Sequence, residues 1–168
     1  RVTKLRKGPY KGEMSEGPEY ETLWSLGAQC GISDLDEIAV ANDLCDKYGI
    51  DTISMGNVIG FMIECYKRGL ITDKETDGIK LEWGKAEILP KLVELTAHKR
   101  GFGKTLAEGV KKISKNYGGE EFAMHVKGLE LPAYDPRGAK GMGLAYATSN
   151  RGGDHLRAYI VISEILSF

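Results

Sequence analysis

Two adjacent stretches, SDLDEIAVANDLCDKYG (Ser33 to Gly49) and DTISMGNVIGFMIECYKRG (Asp51 to Gly69), follow one plan. Each opens on residues able to cap a helix, Ser33 in the first and Asp51 or Thr52 in the second, and each stops at a glycine. In between, apolar residues recur at helical spacing: Leu35, Ile38, Ala41, Cys45 and Tyr48, then Ile59, Met62, Ile63 and Tyr66. A chain built on two such segments is committed to helical packing. SEGPEYETLWSLGAQCG predicts a further helix, with Pro18 in its first turn, Gly27 or Gly31 near its end and Glu19 and Glu21 at the positive end of its dipole. Two more are predicted around EILPKLVELTAHKR and TLAEGVKKISKNYG, the second opened by a capping box at Thr105 and Glu108. The longest alternating run is the short FAMHVKGLEL. The expected fold is all-α and multihelical, with a loop-rich boundary near Phe122 to Tyr134.

The 168 residues suffice for one full core, or for one domain and a piece of another. Lys and Arg number 23 against 24 Asp and Glu, so no basic excess exists to neutralise phosphates, which argues against nucleic acid and membrane surfaces as partners. Neither a membrane-spanning apolar run nor a charged-then-apolar leader is present in the sequence. Cys30, Cys45 and Cys65 are odd in number and widely spaced, which suits a reducing cytoplasm and makes no metal motif. The chain starts at Arg1 and ends inside the apolar run AYIVISEILSF, an unfinished helix. It reads as a piece of a longer protein.

Several motifs fail on spacing. GFGKT (Gly101 to Thr105) lacks the glycine a phosphate loop needs five residues before Gly103, where His98 stands. GAKGMG (Gly138 to Gly143) has the wrong intervals for a dinucleotide fingerprint and reads as a bend or close packing. His98 and His125 have no partner at metal-binding spacing and are assigned packing or surface roles.

Two other stretches are chemically richer. DKYGID (Asp46 to Asp51) sets a carboxylate in the last turn of one helix, a glycine stop, and a second carboxylate where the next helix begins. Asp51 is explained as a cap. Asp46 opposes the helix dipole, and is either solvated or serves a ligand. NRGGDHLRAY (Asn150 to Tyr159) leads two glycines into Asp154, His155 and Arg157, equipment for proton transfer and anion binding, or else a capped turn.

In the order GPEYET, DKYGIDTISMGN, GLITDKETDG, TLAEGV and HVKGLELPAYDPRGAKGMGLAYATSNRGGDHLRA, the chain resembles the aldehyde ferredoxin oxidoreductase family of tungsten-pterin enzymes over nearly its whole length. The resemblance implies an enzyme with a tungsten bis-pterin and a [4Fe-4S] cluster that oxidises aldehydes to carboxylic acids and passes electrons to ferredoxin. It implies that residues 1–124 are the first helical domain and residues 125–168 the start of the second. The cluster's cysteines and the β domain that covers the cofactor would belong to missing domains of the same polypeptide, so no metal ligand is assigned here and no cofactor is expected on this piece alone. DKYGID matches the family's pterin motif with Ile50 in place of leucine, which makes Asp46, Gly49, Ile50 and Asp51 cofactor-binding; a carboxylate offers two acceptors to the paired donors of a pterin edge. Arg157 matches a basic pterin contact. Tyr20, Glu21 and His155 match the catalytic pocket, although Glu21 is equally explained by dipole pairing. Two alternatives stand beside this reading: an all-α assembly module without catalysis, and a family member acting on another carbonyl or a thioester.

Overall fold

The computed structural model describes residues 2–6 and 10–166, so the sequence features at Arg1, at Lys7 to Pro9 and at the last two positions lie outside the described residues. The chain opens with an antiparallel pair, β1 (Val2–Lys4) and β2 (Met14–Glu16). A single helical turn follows, α1 (Tyr20–Thr22), running into a π turn at Leu23–Gly27 and a 3-10 turn at Ala28–Cys30. Pro18 therefore lies outside the helix, and the expected regular helix is three short pieces. A π turn is a local widening that recurs beside functional sites, and this one begins two residues after Glu21.

The predicted pair of long helices forms as α2 (Leu35–Tyr48) and α3 (Thr52–Lys67). Asp34, not Ser33, caps α2, because its carboxylate accepts the Asp36 and Glu37 amides at 3.0 and 3.3 Å. Asp51 caps α3 by accepting the Ser54 amide at 2.7 Å. Ile38, Ala41 and Cys45 face the core, while Leu35 and Tyr48, at the helix ends, are exposed. Nearly the whole of α3 is buried, so the face predicted from Ile59, Met62 and Ile63 is part of a wider apolar surface.

Around this pair stand α4 (Leu89–Ala97), α5 (Gly103–Leu106) and α6 (Val110–Tyr117), with α4 packed on α2 and α5 on α4. Leu89, Leu92 and Val93 on α4 have no exposure at all, and each such side chain contributes about 1.5–3 kcal/mol on burial. The expected single helix from Thr105 is broken, since Gly109 takes φ 76° and the Thr105–Glu108 box does not form. FAMHVKGLEL makes a small hairpin, β3 (His125–Val126) and β4 (Leu129–Glu130). Two last helices, α7 (Lys140–Thr148) and α8 (Val161–Leu166), enclose a second, smaller core of Leu131, Ala139, Met142, Tyr146 and Val161. GAKGMG enters α7, whose first amides at Gly141 and Met142 donate to Glu164 of α8 at 2.6 and 3.2 Å. The fold is mostly helical, with two small hairpins. No helix among the described residues is long and apolar enough to cross a membrane.

Candidate functional site

An open cleft of about 560 Å³ runs between α1, the α2–α3 turn and the α7–α8 loop. Tyr20, Glu21, Asp46, Asp51, Tyr134 and His155 are on its walls, so residues far apart in sequence share one concave surface. Two side-chain contacts hold α1 and the π turn after it against the start of α3: Thr22 Oγ1 lies 2.8 Å from Thr52 Oγ1, and Ser25 Oγ donates to the Thr52 carbonyl at 2.9 Å.

Glu21 is 9 % exposed, unusual for a carboxylate. Its Oε2 accepts the Ala133 amide at 2.8 Å, whereas its buried Oε1 has no hydrogen-bond partner among the described residues. Burial pushes its pKa above the ordinary carboxylate value; the Ala133 N–H and then His155 pull it back, and Asp51 adds to the rise. A carboxyl group with one oxygen anchored, one idle and a raised affinity for protons is suited to proton transfer.

The turn before α3 has a local explanation at every residue. Gly49 ends α2 in the left-handed conformation at φ 68°, while Ile50 returns its amide to the Cys45 carbonyl at 2.8 Å, a Schellman-type stop. Nothing lies within 4 Å of where a Gly49 side chain would begin, so its backbone angle, not close approach, is what requires glycine. Asp46 is exposed toward the cleft, and its Oδ2 accepts the Asn42 amide at 3.2 Å. Asp51 spends one oxygen on its cap. The 16-residue α3 thus starts at the cleft wall, where Thr52 and Ile53 stand.

The opposite wall rests on the β3–β4 hairpin. Any side chain on Gly152 would overlap the Val126 carbonyl, and one on Gly153 would meet the Leu129 carbonyl at 2.9 Å. The glycine pair therefore lets the His155 loop lie flat on the protein's own hairpin. Asp154, 7 % exposed, pairs with Arg151 at 3.0 Å and with Arg157 at 3.4 Å. Tyr134, just beyond the hairpin, has its ring 5.8 Å from both the Tyr20 and the His155 rings and 6.3 Å from Tyr159. Burial first, then the neighbouring Tyr159, raise the Tyr134 hydroxyl above the ordinary tyrosine value.

Of the residues singled out from the sequence, Tyr20, Glu21, Asp46, Asp51 and His155 line the cleft. Gly49 shapes the turn without lining it, Ile50 lines a separate hollow behind Asp51, and Arg157 is exposed and committed to Asp154. Tyr134 and Tyr159 were missed. Pro132 and Pro136 around Tyr134 were the available signal, since both push the chain toward an extended, presented stretch. Cys30, Cys45 and Cys65 are buried free thiols pushed up to about 12, about 12 and about 11, and no group of three metal-ligating side chains occurs among the described residues.

The family profile described as aldehyde ferredoxin oxidoreductase, domains 2 and 3, matches residues 1–167. The chain belongs to this family. It is 49 % identical over 169 residues to a tungsten-containing aldehyde ferredoxin oxidoreductase of Pyrococcus furiosus, and 48 % identical over 169 residues to the protein of that name from Thermococcus kodakarensis, in both cases across 100 % of its own length. It is 39 % identical over 163 residues, 92 % of the chain, to the WOR-like subunit of an aliphatic sulfonate oxidoreductase of P. furiosus. The chain spans 27 % of the first two relatives and 26 % of the third. These aldehyde ferredoxin oxidoreductase relatives thus contain much that lies beyond the cleft described here.

Proposed function

We propose that this chain supplies one wall of the active site of a tungsten-pterin enzyme that oxidises aldehydes to carboxylic acids, with electrons leaving through a [4Fe-4S] cluster held elsewhere in the polypeptide to ferredoxin. Residues 1–124 would form the first helical domain and residues 125–168 open the second. The observation that carries the reading is Glu21, a buried carboxyl with a partnerless oxygen in a cleft shared with His155 and the Asp46–Asp51 turn.

The donor set fits the cofactor. Asp46 and the remaining oxygen of Asp51 are acceptors for the amino and ring N–H donors of a pterin edge, and the start of α3 favours its anionic atoms. When bound, the tungsten-pterin group supplies Lewis acidity and takes up the two electrons of the oxidation. Aldehyde oxidation also consumes a water oxygen and releases two protons, and Glu21 Oε1 is the group placed to take one. Its raised proton affinity lets it receive that proton and later return it to solvent. His155 steadies the carbonyl oxygen as negative charge grows there. Tyr20, Tyr134 and Tyr159 form an apolar flank around the reacting group. Glu16, Glu19, Asp46 and Asp51 make the cleft acidic, which admits a neutral aldehyde and repels its carboxylate product.

The assembly-module alternative gives no reason for burying a partnerless carboxylate oxygen. A sulfonate-directed substrate is the second reading, supported only by the more distant of the three relatives. The test is the whole protein, prepared from cells supplied with tungstate and assayed for tungsten and for aldehyde-dependent viologen reduction. Tungsten present without reduction by any of several aldehydes overturns the aldehyde reading.

A further inference from the structure

Glu21 owes its one hydrogen bond to an irregular stretch of backbone just past β4, and that stretch is itself held by side chains. Asn57, in the second turn of α3 and 3 % exposed, uses its whole amide. Its Nδ2 donates to the Ile53 carbonyl at 2.9 Å and to the Leu131 carbonyl at 2.9 Å, and its Oδ1 accepts Gln29 Nε2 at 3.0 Å. Leu131 stands two residues before Ala133, whose N–H meets Glu21, and three before Tyr134, whose ring enters the cleft. The side chain before Leu131 is fixed as well, since Glu130 accepts Ser54 Oγ at 2.9 Å and the Val110 amide at 2.8 Å. Ala133 thus sits between two gripped backbone carbonyls: that of Leu131, held by Asn57, and that of Tyr134, which accepts the Tyr146 hydroxyl at 3.0 Å.

We infer that Asn57 is a positioning residue for Glu21: by gripping the Leu131 carbonyl it holds the Leu131–Ala133 segment from its N-terminal side so that the Ala133 N–H stays on the Glu21 carboxylate. This rests on the proposed role of Glu21 as a base. Pro132 has no N–H, so between the Leu131 amide, which reaches the Met124 carbonyl at 3.3 Å, and the Ala133 amide on Glu21 the segment has no further backbone donor with which to anchor itself. Releasing the Leu131 carbonyl removes the side-chain grip on one side of Ala133, so its amide shifts about the remaining Tyr134 anchor and weakens the only donor the carboxylate has among the described residues.

The consequence is a pH effect of definite sign. The N–H stabilises ionised Glu21, so its loss raises the proton affinity further and leaves less base at a given pH. Other groups face Glu21 too. Asp51 and Asp46 share its cleft from the α2–α3 turn, His155 and Tyr159 from the loop and Tyr134 from the segment after β4, with Tyr146 of α7 nearby. Glu16, Glu19 and Tyr20 complete the rim. None of these is removed by a change at Asn57, so a shift reads the Ala133 contact.

The experiment uses the whole tungsten-loaded protein with Asn57→Leu, and with Gln29→Met as a milder variant that removes only the partner of Asn57 Oδ1. The acid limb of the kcat/KM profile should move to higher pH by about one unit for Asn57→Leu, the size of a hydrogen bond to a charged group, and less for Gln29→Met. Hydrogen exchange should quicken in the peptide containing Leu131 to Tyr134 in the same order. Faster exchange with an unmoved limb in the variants that fold makes Asn57 merely structural and overturns the inference; so does an unchanged peptide. If Glu21→Gln leaves turnover intact, the base reading itself has failed, and that outcome is separable from the other two.

Discussion

The Glu21 carboxylate and the Ala133 amide are 112 positions apart in sequence and are joined by a 2.8 Å hydrogen bond. Because the carboxyl is buried, its charged form costs more in the folded chain than in the unfolded one, and stability is gained by neutralising it. Glu21→Gln is therefore expected to raise the thermal midpoint near pH 7. The gain should vanish near about pH 3, where the native carboxyl is protonated in both states. The penalty it removes sets in as pH climbs from the unfolded towards the folded value. Turnover of the whole enzyme should drop about a hundredfold or more while tungsten content holds, the size of a lost acid–base contribution. Calorimetry across pH checks the first half, and aldehyde-dependent viologen reduction with metal analysis checks the second.

Asp46 should behave differently. Its carboxylate is exposed and its partner is the neighbouring Asn42 of the same helix, so Asp46→Ala is expected to change stability by less than about 0.5 kcal/mol. Cofactor retention should fall instead, measured as tungsten and pterin per protein after gel filtration. Equal metal loss in Asp46→Ala, Glu21→Gln and His155→Asn would contradict the division of roles.

Gly152→Ala tests the seat of the His155 loop. The residue sits at φ 94°, and its new methyl group would overlap the Val126 carbonyl of the hairpin. A loss of about 1–3 kcal/mol is expected, from denaturant unfolding, with turnover reduced because His155 is displaced.

The three cysteines should resist thiol reagents. Burial holds Cys30 and Cys45 up near about 12 and Cys65 near about 11, so the reactive thiolate is scarce at neutral pH. Labelling by a disulfide reagent should be slow in the native chain and complete on unfolding. Fast native labelling of any one of them contradicts its placement.

The α2–α3 pair was legible because cap, period and glycine stop all spoke for the same helix; missed were the choice of Asp34 over Ser33, the exposure of Leu35 and Tyr48 at the ends of α2, and the breadth of the buried surface of α3. The helix expected from Pro18 was not recoverable in detail, since the π turn at Leu23–Gly27 arises from packing against α3 and has no local signature. The break at Gly109 was masked by the Thr105–Glu108 spacing, a real signal that tertiary structure overrides. At the cleft, Asp46 was singled out by its misfit with the helix dipole and His155 by its glycine-led polar cluster, but the roles given to both, and the choice of Glu21, came from resemblance. Tyr134 and Asn57 went unseen for one reason: each acts through contacts to residues more than ten positions away, and no local period records those.

The buried apolar residues divide into two sets with no member in common, one around α2 and α3 and one around α7. Glu21, Asp46 and Asp51 ride on the first, while Tyr134 and His155 adjoin the second. A molecule lodged across the cleft is then a splint between two bodies. Every contact it makes to both sides resists their parting, and its affinity becomes mechanical cohesion of the chain. The smaller body, with five buried apolar residues, has the most to gain. Loading should stiffen it first, and stripping the ligand should let it fray while the larger body stays intact.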